Sequence, residues 1–209
     1  MRNKIVIALF GQARSGKNTV ADMISNKLQE LQLFSKQLAL ADPIKKGLAC
    51  LLNVNVAQLE NAKENNFTIR DIDIRKILQV LPTELRKMND YIFIEILAEE
   101  IQNSDEDIII VTDGRFPIEF DFLKKEFNAY TIKIIRNKIL QGEVGQHISE
   151  TAIDSIENDK FDYIINNNKG LDELRDNIEK VLDNIMQDYR SKHAQISNWY
   201  RVLEYQNTI

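Results

Sequence analysis

A glycine-rich segment near the start of the sequence constrains the fold of this chain more than any other feature. Residues 11–19 read Gly-Gln-Ala-Arg-Ser-Gly-Lys-Asn-Thr and match the pattern G-x-x-x-x-G-K. They follow the continuous apolar run of residues 5–10, which predicts a strand buried on both faces. Residues 17–33 carry apolar side chains at helical spacing. The pattern therefore stands between a strand and a helix, which is the context that a phosphate-binding loop requires.

The residue types in this segment suit the binding of phosphate groups. Gly11 and Gly16 allow backbone conformations that a side chain would hinder, so successive amide N–H groups can point inward. The following helix adds the positive end of its dipole, and the Lys17 ammonium can reach the outer phosphates of a nucleotide. The candidate nucleotide-binding residues are Gly11, Ala13, Arg14, Ser15, Gly16, Lys17, Asn18 and Thr19.

The position after Lys17 bears on a metal ion. A Ser or Thr hydroxyl usually ligates Mg²⁺ there, but this chain has Asn18, and Thr19 is the next hydroxyl. The amide oxygen of Asn18 can face a hard cation directly or through water. Asn18 is therefore a candidate metal residue, and the choice between Asn18 and Thr19 is left open.

Strands and helices alternate along most of the chain. Branched apolar runs predict five strands, at residues 5–10, 37–41, 107–112, 130–135 and 161–165. Helical periodicity predicts helices at residues 17–33, 116–127 and 171–189. This alternation predicts an α/β fold with a mainly parallel, five-stranded sheet.

Two segments depart from simple alternation. Residues 43–103 are predicted to form a largely helical insert with a polar break at 62–68. Asp42 is expected to cap the first helix of the insert, with Pro43 at its first position. Residues 137–147 carry two glycines and little apolar pattern, which predicts a mobile loop.

Charged residues follow the third predicted strand, where residues 112–119 read Thr-Asp-Gly-Arg-Phe-Pro-Ile-Glu. Ligands of parallel sheets bind beyond the carboxyl ends of the strands, so we expect Asp113 and Arg115 beside the phosphate loop. An aspartate there can hold a Mg²⁺-bound water, and an arginine can grip a phosphate with two hydrogen bonds. Asp113 is therefore a second candidate metal residue.

Further cations stand where a phosphoryl group would be transferred. Arg136 ends the fourth predicted strand, and the loop after it is where a lid would lie. Phosphoryl transfer needs positive charge around the transferred group and the exclusion of water. Arg136 and Arg14 are the candidates for this charge.

The helical insert carries polar residues suited to an anionic acceptor and its base, namely Arg70, Arg75, Gln79, Thr83 and Arg86. Three of them, Arg75, Gln79 and Arg86, recur at spacings of four and seven residues. They share one face of a helix if Pro82 does not break it.

Composition narrows the class of protein. The 209 residues predict one compact domain over residues 1–190 with a tail at 191–209. The 27 basic and 32 acidic residues give a net charge of −5, which argues against a binder of nucleic-acid polymers. A single cysteine fits a reducing compartment, and no apolar run reaches the roughly 18 residues of a membrane span. We expect a cytoplasmic protein without a membrane segment, whose tail packs on the core or on a second subunit of a homodimer.

A phosphate loop alone fixes neither reaction nor substrate. A GTPase would carry an Asn-Lys-x-Asp motif after a late strand, and residues 168–172 have one residue too many for it. A motor or helicase needs a longer chain and a basic track. A small kinase fits the length and the helical insert, while a nucleotide-binding regulatory protein that hydrolyses little stays open.

The first three motifs resemble those of phage-type deoxynucleoside monophosphate kinases. Residues 11–22 are similar to the phosphate loop of that family, and residues 40–45, Leu-Ala-Asp-Pro-Ile-Lys, to its Ala-Asp-Pro-Leu-Lys segment. Residues 77–86 resemble its Leu-Gln-x-x-Gly-Thr-x-x-x-Arg stretch, with Pro82 in place of the glycine.

Three later motifs extend the resemblance in the same order. Residues 112–119 resemble the Asp-Val-Arg-Phe-Pro-Asn-Glu motif of the family, and residues 147–150 its His-x-Ser-Glu. Residues 161–168 resemble its last strand and the loop that borders the donor base. Together the motifs cover roughly residues 4–185.

The resemblance implies an enzyme that moves the γ-phosphoryl group of ATP, with Mg²⁺, to a deoxynucleoside 5′-monophosphate. It implies a P-loop kinase fold in which the helical insert binds the monophosphate and residues 137–150 form a lid. Another small-molecule kinase of this fold, such as a dephospho-coenzyme A kinase, is the nearest alternative.

Residue roles carry over by position. The resemblance implies four catalytic residues, Lys17, Asp113, Arg115 and Arg136. It adds Asn167 to the ATP-binding residues of the loop. The acceptor-binding residues that it implies, together with those of the insert, are Asp42, Arg70, Arg75, Gln79, Thr83, Arg86, Arg115 and Glu150.

Overall fold

The computed structural model describes residues 4–137 and 152–206, with side chains up to residue 191. The strands, in chain order, are β1 (Ile5–Phe10), β2 (Ser35–Leu38), β3 (Thr68–Ile69), β4 (Ile72–Asp73), β5 (Ile108–Gly114), β6 (Tyr130–Ile135) and β7 (Tyr163–Asn166). The helices are α1 (Lys17–Glu30), α2 (Asp42–Leu52), α3 (Val56–Glu64), α4 (Ile74–Met88), α5 (Ile92–Gln102), α6 (Pro117–Phe127) and α7 (Leu171–Gln206). Short 3₁₀ helices, Ala152–Ser155 and Asn158–Lys160, precede β7.

Five strands form one parallel sheet in the order β2-β5-β1-β6-β7. β1 lies at its centre, and all six of its residues are buried, because helices cover both faces of the sheet. β3 and β4 pair in a separate antiparallel hairpin. The predicted α/β fold with a five-stranded parallel sheet is confirmed.

The alternating side chains of β1 join two apolar layers. Ile7 and Leu9 lie in a layer with residues of α1 and α7, whereas Ala8 and Phe10 lie in a layer with residues of α5 and α6. The Phe10 ring meets the Phe120 ring edge-on, with 5.6 Å between their centroids. The two apolar layers hold the sheet between the helices. The loops that follow the carboxyl ends of its strands lie outside these layers and can form a site.

Two strands lie a few residues from their predicted positions. β2 occupies Ser35–Leu38 instead of 37–41, because its place at the edge of the sheet is set by backbone pairing with β5. β7 begins at Tyr163 instead of residue 161, since Phe161 packs into the apolar layer ahead of the strand.

The insert between β2 and β5 is helical, as predicted, except for one hairpin. Where the sequence showed only a polar break at 62–68, α3 continues to Glu64, and β3 and β4 follow. The two residues that join these strands, Arg70 and Asp71, have φ of 53° and 62°, the left-handed conformation of a tight hairpin turn. Strands of two residues are too short to leave a periodic pattern.

Proline affects the two helix predictions differently. α4 runs unbroken through Pro82, so the residues expected to share its face do lie on one helix. Asp42 is the first residue of α2 and not its N-cap, which is Ala41, so Pro43 is the second residue of the helix instead of the first. The main-chain N–H of the N-cap has no partner within a helix. Ala41 can take this position, one residue earlier than predicted, because its N–H donates to the Asp113 carboxylate.

The chain after β6 is described only in part. The predicted lid over residues 137–150, including Glu150, lies outside the described residues except for Asn137. α7 continues to Gln206, beyond its predicted end near residue 189. Among the described residues, no helix has the length and apolar character that crossing a membrane requires.

Candidate active site

The loop between β1 and α1 has the backbone shape that the glycine pattern predicts. Gly11 and Gly16 have φ of 154° and 101°, which side chains disfavour. A Cβ on Gly11 would lie 2.6 Å from the Ile134 carbonyl oxygen, and one on Gly16 would overlap the Asn167 amide. Both glycines are therefore required by conformation and by space.

The Lys17 side chain lies inside this loop. It is only 7% exposed, and its ammonium donates to the carbonyl oxygens of Gly11 at 2.6 Å and Gln12 at 2.8 Å. α1 begins at Lys17, so the positive end of its dipole lies at the same place. The loop thus gathers the Lys17 ammonium and the positive end of the helix dipole at one place.

Ser15 gives a second sign of an anion site. Its hydroxyl is buried, the residue being 3% exposed, and it has no hydrogen-bond partner within the described part of the chain. A buried hydroxyl without a partner is costly unless a ligand supplies one. Oxygen atoms of a phosphate would satisfy it.

Asn167 holds the loop from β7. Its side-chain amide donates to the Ser15 carbonyl oxygen at 2.9 Å, and its main-chain N–H donates to the Ile135 carbonyl oxygen at 2.8 Å. Asn167, expected beside ATP, therefore lies against the phosphate loop and ties it to the end of β6.

Asp113, at the end of β5, fixes the turn before α2. Its two carboxylate oxygens accept the amide N–H groups of Leu40 at 2.7 Å and Ala41 at 3.0 Å. The sequence placed Asp113 at a metal ion, and the structure also gives it this bracing role, for which sequence shows no signal.

Glu119 was not among the predicted site residues, although it ends the motif at residues 112–119. It is 2% exposed, and one carboxylate oxygen accepts the amide N–H groups of Arg115 at 2.8 Å and Phe116 at 3.1 Å. The other oxygen lies 3.1 Å from Nη2 of Arg86. Burial raises the pKa of the Glu119 carboxyl to about 7, against the opposing effects of the Arg115 amide and the Arg86 charge.

The Arg86 guanidinium lies between two aromatic rings. Its Cζ is 4.8 Å from the centroid of Phe93 and 4.5 Å from that of Phe116. These cation–π contacts and the Glu119 carboxylate hold the side chain, which stays 25% exposed toward a cavity.

That cavity, of about 210 Å³, lies between the phosphate loop and the helical insert, and we call it the insert cavity. Of the predicted site residues, it is lined by Ala13, Arg75, Gln79, Arg86, Asp113 and Arg115. Lys45, Lys63 and Glu119 also line it and were missed. Burial lowers the pKa of Lys45, but its ion pair with Glu60 at 2.8 Å outweighs burial, so the net shift is upward.

Of the predicted acceptor residues that the structure describes, three lie outside the lining of the insert cavity. Asp42 lies 3.8 Å from the Lys45 ammonium. Arg70 donates to the Leu52 carbonyl oxygen at 3.0 Å, and the Thr83 hydroxyl donates to that of Gln79 at 2.8 Å. Their observed contacts brace the insert.

A second cavity, of about 520 Å³, lies on the other side of the phosphate loop, and we call it the loop cavity. It is lined by Gly11, Ala13, Arg14, Ser15 and Arg136 of the predicted residues, and by Lys133. Ala13 lines both cavities, so the loop separates them. Asn18 and Thr19 are exposed on the first turn of α1 and line neither.

The side chains around the phosphate loop suit a metal ion that is coordinated mainly by the phosphates of a bound molecule and only in part by the protein. Within the described ranges, no group of three or more His, Cys, Asp or Glu side chains could hold a metal ion. Mg²⁺ at phosphates usually takes only one or two protein oxygens, which the exposed Asn18 or the Asp113 carboxylate could supply. The residues present fit that mode.

The chain resembles known kinases in sequence and in fold. A family model described as "Deoxynucleotide monophosphate kinase" matches residues 5–73 and 52–178. No curated protein sequence matches the chain. Among solved structures, shikimate kinase from Acinetobacter baumannii, in complex with shikimate, aligns with a TM-score of 0.50 and 15% identity over 90% of this chain and 96% of that one. A gluconokinase from Sinorhizobium meliloti 1021 aligns with a TM-score of 0.48 and 10% identity over 93% and 99%.

Proposed function

Because the chain belongs to the deoxynucleotide monophosphate kinase family, we propose that it transfers the γ-phosphoryl group of ATP to a deoxynucleoside monophosphate. The family makes it a kinase that acts on a nucleotide or another small molecule. The products of the proposed reaction are ADP and a deoxynucleoside diphosphate.

The observation that carries the proposal is the phosphate loop standing between two cavities. Ala13 lines both of them, so a phosphoryl group bound at the loop borders the loop cavity and the insert cavity. Direct transfer requires donor and acceptor to meet at one point, without water between them. We assign ATP to the loop cavity and the acceptor to the insert cavity.

On the donor side, the main-chain amides of the loop, the Ser15 hydroxyl and Lys17 would bind the phosphates. The Lys17 ammonium donates to two carbonyl oxygens of the loop. Phosphate oxygens carry more negative charge than carbonyls, so the ammonium would exchange these partners for the triphosphate. Arg14 and Arg136 line the same cavity and add positive charge.

On the acceptor side, we assign the acceptor phosphate to Arg86 and Arg115, which both line the insert cavity. The acceptor phosphate is already an anion, so the reaction needs positioning and charge neutralisation more than a strong base. Arg75 and Gln79 lie nearer the start of α4, where we place the nucleobase of the acceptor. From Arg75 to Arg86 the helix rises about 16 Å, enough to accommodate a nucleotide along its length.

Mg²⁺ would supply charge neutralisation at the ATP phosphates. Asn18 is the proposed ligand from the loop, directly or through water, with Thr19 as the neighbouring hydroxyl. Asp113 is proposed to hold a metal-bound water while it braces the turn before α2.

The proposal is tested by the release of ADP in a coupled assay. The acceptors are the four deoxynucleoside monophosphates, the four ribonucleotides and dephospho-coenzyme A, each with ATP and Mg²⁺. We expect ADP release that depends on a deoxynucleoside monophosphate. Activity with dephospho-coenzyme A alone would replace the proposed substrate, and ATP consumption unchanged by every acceptor would indicate a regulatory nucleotide-binding protein.

A further inference from the structure

One carboxylate connects two arginine residues that line the insert cavity, Arg86 and Arg115. Glu119 binds the Arg86 guanidinium with one oxygen, at 3.1 Å. Its other oxygen accepts the main-chain N–H of Arg115 at 2.8 Å and that of Phe116 at 3.1 Å. α4 and the turn before α6 are thereby joined at one side chain, although Arg86 and Glu119 are 33 residues apart.

This carboxylate restricts what Arg86 can do. The rings of Phe93 and Phe116 confine the guanidinium between them, and Glu119 sets its rotation within that space. A guanidinium has five N–H donors in a rigid fork, and the bond to Glu119 is the one that Arg86 makes within the described part of the chain. The remaining donors are available to an anion in the cavity.

The position of Glu119 is costly for stability alone. It is the third residue of α6, where a carboxylate can accept amide N–H groups while remaining in water. Here the residue is 2% exposed, and taking a carboxylate out of water is costly even when it is paired, as Glu119 is with Arg86. The same helix has exposed carboxylates, such as that of Glu126, that avoid this cost.

We propose that Glu119 is a positioning residue for phosphoryl transfer, which orients the Arg86 guanidinium and the Arg115 main chain toward the acceptor phosphate. The inference rests on the proposed function, because it needs an anionic acceptor in the insert cavity. Glu119 itself would not contact the reacting atoms, since both of its oxygens are engaged by the protein.

The test compares Glu119→Gln with Glu126→Gln, the same change on an exposed residue of α6. ADP release is measured at pH 8 against the concentration of the best deoxynucleoside monophosphate and, separately, of ATP. We expect Glu119→Gln to lower kcat/KM for the acceptor by up to about 100-fold, which is the loss of rate typical of a reacting group displaced by about 1 Å. The KM for ATP should stay unchanged. We expect Glu126→Gln to behave as wild type.

A double-mutant cycle separates positioning from general damage. Arg86→Lys keeps the charge but loses the planar fork, so Glu119→Gln should cost much less in that background than in wild type. Melting temperatures are recorded for every variant. Additive losses, or an activity loss of Glu119→Gln that tracks a lowered melting temperature and raises both KM values, would overturn the inference.

The outcomes also distinguish this inference from the proposed function. If wild type phosphorylates no deoxynucleoside monophosphate, the proposed function is wrong and the role of Glu119 is lost with it. If wild type does so and Glu119→Gln has the same kcat/KM, only the positioning role is wrong.

Discussion

The ammonium of Lys17 lies 2.6 Å from the carbonyl oxygen of Gly11, at the opposite end of the phosphate loop. The side chain therefore spans the space in which phosphate oxygens would bind, and it is already buried there. This arrangement places a positive charge in the loop, and a phosphate that binds there would draw the ammonium away from the two carbonyl oxygens that it contacts.

Lys17→Ala should fold and lose phosphoryl transfer. Removing a charge that stabilises the transferred group costs about 3–4 kcal/mol, or a factor on the order of 10²–10³ in kcat. The measurement is ADP release at saturating ATP and acceptor, with circular dichroism to confirm the fold. The matched control is Lys27→Ala, on the same helix, where the side chain pairs with Glu179 away from the loop. Turnover like wild type in Lys17→Ala would remove the assigned site.

Gly16→Ala should damage the loop without touching the insert. Gly16 has φ of 101°, and a Cβ there would overlap the Asn167 amide that holds Ser15. We expect a loss of about 1–3 kcal/mol in the free energy of unfolding and a raised KM for ATP. Urea unfolding and steady-state kinetics measure the two effects.

Gly47→Ala is the control for that prediction. Gly47 lies in α2, and a Cβ there would meet nothing within 4 Å. Alanine in a helix is more favourable than glycine by roughly 0.5–1 kcal/mol, so this variant should be more stable and equally active. A Gly16→Ala protein that also gained stability would show that the loop is not conformationally constrained.

Asp113→Asn should loosen the turn before α2. An asparagine has one carboxamide oxygen in place of two, so its NH₂ group would face the amide N–H of Leu40 or Ala41. The expected loss is about 1–3 kcal/mol in the free energy of unfolding, with a raised KM for the acceptor. Asp121→Asn, on the exposed side of α6, is the control. If instead stability is unchanged and added Mg²⁺ restores kcat, Asp113 acts mainly at the metal.

The elements that the sequence predicted correctly are those with local signals. β1, the loop and α1 are adjacent in the chain, and each has its own pattern of apolar residues or glycines. The sheet could be predicted because buried parallel strands are continuous apolar runs.

The residues that were missed depend on contacts between distant elements. Glu119 looks like an ordinary first-turn glutamate, and only the packing of α6 against α4 buries it beside Arg86. Lys45 is one lysine among many until α3 brings Glu60 to it. Arg70, predicted at the acceptor, lies in the hairpin turn and donates to the Leu52 carbonyl oxygen at the end of α2. No periodicity encodes such contacts.

The stability of the protein should carry a pH dependence that belongs to Glu119. Burial raises the pKa of this carboxyl to about 7, from an ordinary value near 4.5. Between these two values the folded state holds a proton that the unfolded state has released. The contribution of Glu119 to stability is therefore largest below pH 4.5 and falls as the pH rises toward 7. The full change amounts to at most about 3 kcal/mol.

Glu119→Gln isolates this contribution, because glutamine does not titrate. The free energy of unfolding is measured in urea from pH 5 to pH 8 for both proteins. Other carboxyls change both curves alike, so their effects cancel in the difference. Glu60 is one of them: burial raises its pKa, but hydrogen bonds from Lys45 and Lys63 outweigh burial, and the net shift is downward. We expect the stability of Glu119→Gln relative to wild type to increase from pH 5 to about pH 7 and then to level off. Parallel curves would mean that the Arg86 charge keeps Glu119 ionised throughout, and that its pKa is not raised.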